Sequence, residues 1–190
     1  PAMGVGATML LPCDVRLAST TARFGFVFGR RGLPLESCSS WFLPRLVGLP
    51  TALEWMLAGR TVDAQEALSA GLVNGVHAPG ELLPAAHRLA REIADGCSPT
   101  AVSVTRRLLW VMQGAAHPMA AHQAETRALN LLGVGADARE GIAAFVDHRP
   151  PAFADRDANL VDDALRSVAT SDPPFNPPFP TISTATEETR

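Results

Sequence analysis

The stretch Pro1-Ala2-Met3-Gly4-Val5-Gly6-Ala7-Thr8 sets a glycine pair just ahead of a short apolar run, Ala7 to Leu11, that can form a helix. Amides at a helix N-terminus lack partners within the helix and carry partial positive charge. A G-x-G turn at that place can therefore hold an anion or a developing oxyanion. The same pattern also makes an ordinary tight turn. It is not a dinucleotide loop, because Met9 stands where that fingerprint requires its third glycine.

Outward from this turn, Pro12-Cys13-Asp14 ends the first helix, and Val15 to Ala18 and Arg23 to Phe28 read as extended pieces. Gly29 to Ser40 is a loop rich in Gly, Pro and Ser, and Trp41 to Val47 is helical despite Pro44. Helices are expected over Thr51 to Ala58, stopped by Gly59, and over Asp63 to Ala70, stopped by Gly71, with a strand at Leu72 to Val76. Further helices are expected over Glu81 to Ala94, from Ser98-Pro99 to about Gln113, and from Pro118 to Leu132. Asp137 with Glu140 resembles a capping box, opening a helix to about Asp147 that Pro150-Pro151 closes. Ser171 to Pro180 reads S-D-P-P-F-N-P-P-F-P, and proline without periodicity builds no packed core.

Composition excludes several chemistries. Of 190 residues, 47% are apolar and 18% charged, enough for a buried core. The net charge of −3 is too mild to imply nucleic acid or an anionic membrane as partner. All 16 basic residues are Arg, and there is neither Lys nor Tyr. A Walker-A loop, a Schiff-base or PLP lysine, and a Tyr acid or base are thereby excluded. No apolar run is long enough to span a bilayer. Cys13, Cys38 and Cys97 lack C-x-x-C spacing, which argues against a disulfide framework or zinc site and for a reduced, cytoplasmic compartment. His117 and His122 are five apart, not the i, i+4 of a helical metal pair, so no metal is expected. Ser37, Ser39 and Ser40 lack a G-x-S-x-G elbow. Arg30-Arg31 and Arg106-Arg107 can each hold phosphate or simply lie solvated. Glu36 lies just before Trp41-Phe42-Leu43, and a carboxylate beside aromatic surface loses solvation, which raises its pKa toward the range of a general base. A solvated loop Glu or a helix-cap partner is the alternative.

Eight segments in order carry a resemblance: P-A-M-G-V-G-A-T at 1–8, C-D-V-R-L-A at 13–18, A-R-F-G-F at 22–26, L-P-R-L-V-G at 43–48, A-L-E-W-M-L-A-G-R at 52–60, A-Q-E-A-L-S-A-G-L-V at 64–73, D-A-R-E-G-I-A-A-F at 137–145 and H-R-P-P-A-F at 148–153. Together they resemble the enoyl-CoA hydratase/isomerase (crotonase) superfamily. The resemblance implies an α/β fold with a crotonase-like (ClpP/crotonase) spiral core, of which this would be the C-terminal portion, with roughly 100 residues before Pro1. Residues 1–78 would be that part of the core, 79–153 a helical trimerisation and CoA-covering region, and 154–190 a mobile tail.

The resemblance also implies a chemistry. An acyl-CoA thioester carbonyl meets two backbone N–H groups that stabilise an enolate, one of them at Val5 beside Gly4 and the other on an earlier strand. Coenzyme A would be part of the substrate, and no further cofactor is implied. The two glutamates of hydratases map to Thr8 and Phe28, which cannot activate water as a carboxylate pair does. The Glu36 loop instead resembles Δ3,Δ2-enoyl-CoA isomerases of the peroxisomal type, in which one carboxylate at this position shifts a proton from C2 to C4. A dehalogenase subgroup places an Asp nucleophile there. Phe145 and His148 match positions that contact the CoA adenine end, where the family often has Lys at the second, although Phe145 can also be core. Homotrimers or hexamers are implied. The expected function is double-bond isomerisation through Glu36, and the alternative is a catalytically inactive remnant or assembly subunit.

Overall fold

A computed structural model describes residues 1–154 and 156–166. The chain divides into two compact units, Pro1–Asp95 and Gly96–Arg190. The division falls after residue 95 and not after 78, because the helix that follows residue 80 groups with the first unit.

The first unit alternates very short strands with helices. β1 (Ala2–Met3) enters α1 (Val5–Thr8), and β2 (Leu17–Ser19) and β3 (Arg23–Gly25) follow. A 3-10 turn at Gly29–Arg31 and a loop lead to α2 (Ser39–Val47) and α3 (Leu49–Ala58). β4 (Thr61–Asp63), α4 (Ala64–Ser69), β5 (Gly75–His77) and α5 (Leu82–Gly96) complete the series. β3 is central in a three-stranded sheet, parallel to β1 with Ala2 opposite Phe24, and antiparallel to β4 with Phe24 opposite Val62. β2 and β5 form a separate parallel pair with Ala18 opposite Val76. The half-buried Arg16 clamps that pair: its Nε donates to Leu72 O at 2.6 Å, and its amide donates to Asn74 Oδ1 at 2.9 Å.

Strands of two or three residues have no room for alternation, so β1 and β4 leave no pattern in the sequence. The strand expected at Leu72 to Val76 begins only at Gly75. Leu72 and Val73 are apolar because they are buried in a loop against the core.

The core centres on Trp55, whose ring stacks on Phe26 with centroids 6.0 Å apart and planes 10° apart. Leu11, Leu43 and Val62 are fully buried around them. A buried indole N–H needs an acceptor. Trp55 Nε1 donates to Glu66 Oε1 at 3.2 Å, and Arg60 Nη2 donates to both oxygens of that carboxylate at 2.9 and 3.0 Å. Asp63 caps α4 by accepting from Glu66 N at 2.8 Å. α3 ends at Gly59 with φ 57°, and a Cβ there would lie 2.8 Å from Arg30 Cγ. Arg30 Nε meanwhile caps the last turn through Ala58 O at 3.0 Å, so this arginine is spent on the fold.

The second unit contains α6 (Pro99–Met112), α7 (Pro118–Leu132), α8 (Ala136–Val146) and α9 (Ala158–Leu165). Ser98 caps α6 as its sequence suggests, accepting from Ala101 N at 3.2 Å. The capping box of Asp137 and Glu140 does not form: Gly135 is the N-cap of α8, and Asp137 Oδ2 accepts from Ser98 Oγ at 2.5 Å. α9 corrects the expectation of a tail from residue 154. Val161, Ala164 and Leu165 are buried with Val104 of α6 and Ala128 of α7. Asp157 caps α9 at Leu160 N, 3.0 Å, and its own amide donates to Thr100 Oγ1 at 3.0 Å. The proline-rich stretch Ser171 to Pro180 lies outside the described residues.

If α9 packs as described, Leu165→Ala lowers stability by about 2–5 kcal/mol, read from the midpoint of urea unfolding. An unmoved midpoint would return residues 158–165 to a tail.

Candidate functional site

The glycine turn and the Glu36 loop meet in the first unit. Gly4 takes φ 56° and ψ −123°, a backbone that side chains rarely adopt, and its amide donates to Gly25 O at 2.8 Å. This turn ties the start of α1 to the end of β3. Val5 is the first residue of α1, so its amide has no partner within the helix, and its side chain is exposed. Thr8, one turn on, is fully buried. Its Oγ1 lies 3.2 Å from Val5 O and 3.4 Å from Gly4 O, and it hydrogen-bonds to Glu36 Oε1.

Glu36 is held at its backbone as well. Its carbonyl accepts from Ser39 N at 3.0 Å and from the buried Ser39 Oγ at 2.7 Å. Ser37 and Cys38 both take left-handed φ, 50° and 54°, costing about 1–2 kcal/mol each. The surroundings enforce that bend: Cys38 O accepts the first amides of α2, Trp41 N at 2.9 Å and Phe42 N at 3.1 Å. The bend lets Ser37 Oγ donate to Glu36 Oε2.

These contacts overturn the expected direction of the Glu36 pKa. It is lowered, first by the Ser37 hydroxyl and next by the Thr8 hydroxyl, and the desolvation that opposes them is weaker. The aromatic surface that was expected to desolvate it is engaged elsewhere. Trp41 and Phe42 meet edge to face at 4.8 Å, and Arg45 lies 4.0 Å over the Trp41 ring. Beside Glu36, between the 3-10 turn, α2 and α3, lies a cavity of about 370 Å³ lined by Phe28, Leu35, Ser39, Leu43, Leu53 and Met56 among others. Its wall is almost wholly apolar, and Phe28 belongs to it.

The structure thus brings Gly4, Val5 and Glu36 together and adds Thr8, Ser37 and Ser39, which the sequence offered only as a replaced position and as serines without a hydrolase motif. Phe145 and His148 lie in the second unit. Phe145 is 81% exposed on α8, so it packs into no core among the described residues, and Ile142 and Val146 are exposed on the same helix. His148 has φ 51° and follows the C-cap of α8, with its amide to Phe145 O at 3.4 Å and Arg149 N to Ala144 O at 3.0 Å. This is a Schellman ending with histidine where glycine is usual. Arg149 donates to both oxygens of Glu140 at 2.6 and 2.9 Å, and Ala152 N adds a third bond at 2.7 Å. Among the described residues no three His, Cys, Asp or Glu side chains gather as a metal site, and no helix is long and apolar enough to cross a membrane.

Residues 1–156 match the family model for enoyl-CoA hydratase/isomerase. Enoyl-CoA hydratase AFT3-1 of Alternaria alternata is 38% identical over 155 residues, covering 81% of this chain and 52% of that protein. A probable enoyl-CoA hydratase/isomerase from Mycobacterium abscessus superposes with a TM-score of 0.78 at 37% identity, covering 80% of this chain and 60% of that one. Pseudomonas aeruginosa DspI superposes with a TM-score of 0.74 at 33% identity, covering 80% and 58%. The chain spans about half the length of the curated relatives it matches.

The Glu140 clamp has a pH signature. Arg149, then the Ala152 amide, hold its carboxyl at about 2, below the ordinary 4.5. A lowered carboxylate contributes stability above its unfolded pKa and loses it as pH falls through the folded value. Glu140→Gln should therefore lower the thermal midpoint at pH 7, with the difference from the parent shrinking between about 4.5 and about 2. A difference that is constant with pH would count against the ionised clamp.

Proposed function

Because the chain belongs to the enoyl-CoA hydratase/isomerase family and shares its crotonase-like α/β fold, we propose that it acts on an acyl-CoA thioester through an enolate, and that Glu36 moves the double bond in preference to adding water. The observation that carries this reading is the meeting of Glu36 with the glycine turn, through Thr8. Hydration uses two carboxylates, one to activate water and one to return a proton. The positions matching those groups hold a buried hydroxyl, Thr8, and an apolar ring, Phe28, lining a greasy cavity. A 1,3-proton shift needs one carboxylate and an apolar place for the acyl chain, and the mostly apolar cavity beside Glu36 supports that reading.

The roles follow from the chemistry. The Val5 N–H, with Gly4 shaping the turn, is one of the two donors the thioester oxygen needs. Glu36, ionised by its two hydroxyl partners, takes the C2 proton. Its low pKa makes it a weak base, so the oxyanion donors must first acidify C2. Substrate that displaces water from Glu36 raises its basicity in the complex. Phe145, exposed and unused by the core, and His148, fixed by its left-handed turn, are proposed contacts for the CoA adenine end. Coenzyme A is then part of the substrate and no separate cofactor is needed. A cytoplasmic homotrimer or hexamer is the proposed working form. The apolar stripe of Ile142, Phe145 and Val146 on α8 equally supports the second reading, a catalytically inactive assembly subunit.

The protein that contains this chain should exchange the C2 protons of a 3-enoyl-CoA in deuterated water and convert it to the 2-enoyl isomer. Glu36→Gln should slow both by roughly 100-fold or more, followed by proton NMR. Undiminished exchange in the variant would sink Glu36 as the base, and no exchange in the parent would favour the assembly subunit.

A further inference from the structure

We propose that Thr8 is the positioning residue of the Glu36 base, fixing Oε1 so that the proton is taken up and given back at Oε2. The inference rests on Glu36 being the base and says how that base is aimed.

Thr8 has one hydroxyl proton and three oxygens within reach: Glu36 Oε1, Val5 O at 3.2 Å and Gly4 O at 3.4 Å. Both carbonyls already accept helix amides, Gly4 O from Thr8 N at 3.1 Å and Val5 O from Met9 N at 2.9 Å. A carboxylate is also the stronger acceptor. The proton therefore goes to Glu36. Thr8 is fully buried, and its β-branch restricts χ1, so the donor cannot swing away. Ser37, the donor to Oε2, is exposed and unbranched. Its hydroxyl can turn aside when substrate arrives.

The two oxygens are therefore unequal. In the first half-step the C2–H bond breaks, its proton bonds to Oε2, and its electron pair passes into an enolate whose oxygen rests on the Val5 N–H. In the second, the Oε2–H bond breaks and the proton bonds to C4, the electrons returning to leave the double bond between C2 and C3. Oε1 stays an acceptor in both the ionised and the protonated carboxyl, so the Thr8 bond survives the whole cycle. Protonation at Oε1 would turn the Thr8 hydroxyl round to accept, leaving its own proton only the two carbonyls that already take helix amides. No charged side chain among the described residues contributes to the lowered Glu36 pKa, whose causes are the Ser37 and Thr8 hydroxyls against desolvation. Removing the Thr8 donor must then move that pKa upward.

The test is C2 exchange of 3-hexenoyl-CoA in deuterated water, across pH, in the protein that contains this chain. Thr8→Val keeps the volume and loses the donor. It should lower kcat roughly 10–100-fold with KM within about threefold, and shift the acid limb of the profile to higher pH. Thr8→Ser keeps the donor and should recover most of kcat and the parent acid limb. A Thr8→Val protein with the parent kcat and acid limb overturns the proposal, as does a Thr8→Ser protein as impaired as Thr8→Val. If Thr8→Val does not fold, Thr8→Ala against Thr8→Ser gives the same contrast, and equal rates overturn it. Glu36→Gln run alongside separates the two claims. Undiminished exchange there removes the base itself, whereas lost exchange with a flat Thr8 series removes only the positioning.

Discussion

A carboxylate on a loop keeps one place only if something rigid meets it, and here the buried Thr8 hydroxyl meets Glu36 across 28 residues of chain. The Thr8 end is immobile because it is buried one turn after a glycine whose left-handed φ few other residues accept. The Glu36 end is immobile because Ser39 pins its carbonyl and two successive left-handed residues turn the chain into α2. Neither anchor belongs to the other's element. The bond thus forms only when the turn and the loop have each folded and come to the right place.

That place is set by the aromatic core. β1 lies parallel to β3, with Met3 opposite Gly25, and a Cβ at Gly25 would fall 2.2 Å from Met3 Sδ. The next inward residue, Phe26, stacks on Trp55 of α3, while α2, which starts from the Glu36 loop, sends Leu43 into the same core. The glycine turn hangs from β1 and β3, and the loop hangs from α2. The Arg60–Glu66 pair beneath them is half exposed, and such pairs add little stability by themselves. Its worth lies in satisfying the indole N–H that would otherwise be buried without a partner.

Helices with local stop and start signals were legible in the sequence. Gly59 ends α3, Asp63 and Ser98 cap α4 and α6, and Pro118 opens α7. β1 and β4 were not, because two or three residues of strand are defined by partners distant in sequence. α9 was missed although Asp157 and the apolar residues Leu160, Val161, Ala164 and Leu165 mark an amphipathic turn, since the proline-rich composition beyond it dominated the reading. The capping box failed for a different reason. Asp137 has a stronger use in holding Ser98, and Glu140 in holding Arg149, and local pattern cannot weigh a local bond against a tertiary one. Glu36 stood out by its setting, yet the sign of its pKa shift was not legible. Neighbouring aromatics in sequence suggested desolvation, while Thr8, which decides the matter with Ser37, is distant in the chain.

The lowered pKa also bears on the chemistry. A general base works best near the operating pH, because a stronger base is more often already protonated and a weaker one pulls less. Two hydroxyl donors hold Glu36 below the ordinary carboxylate range. In the proposed reaction such a base would suit a proton acidified elsewhere, and a carboxyl that binds its proton loosely would release it readily to C4. The chain has no lysine, and among the described residues arginines cap and clamp the fold at Ala58, Glu66 and Glu140.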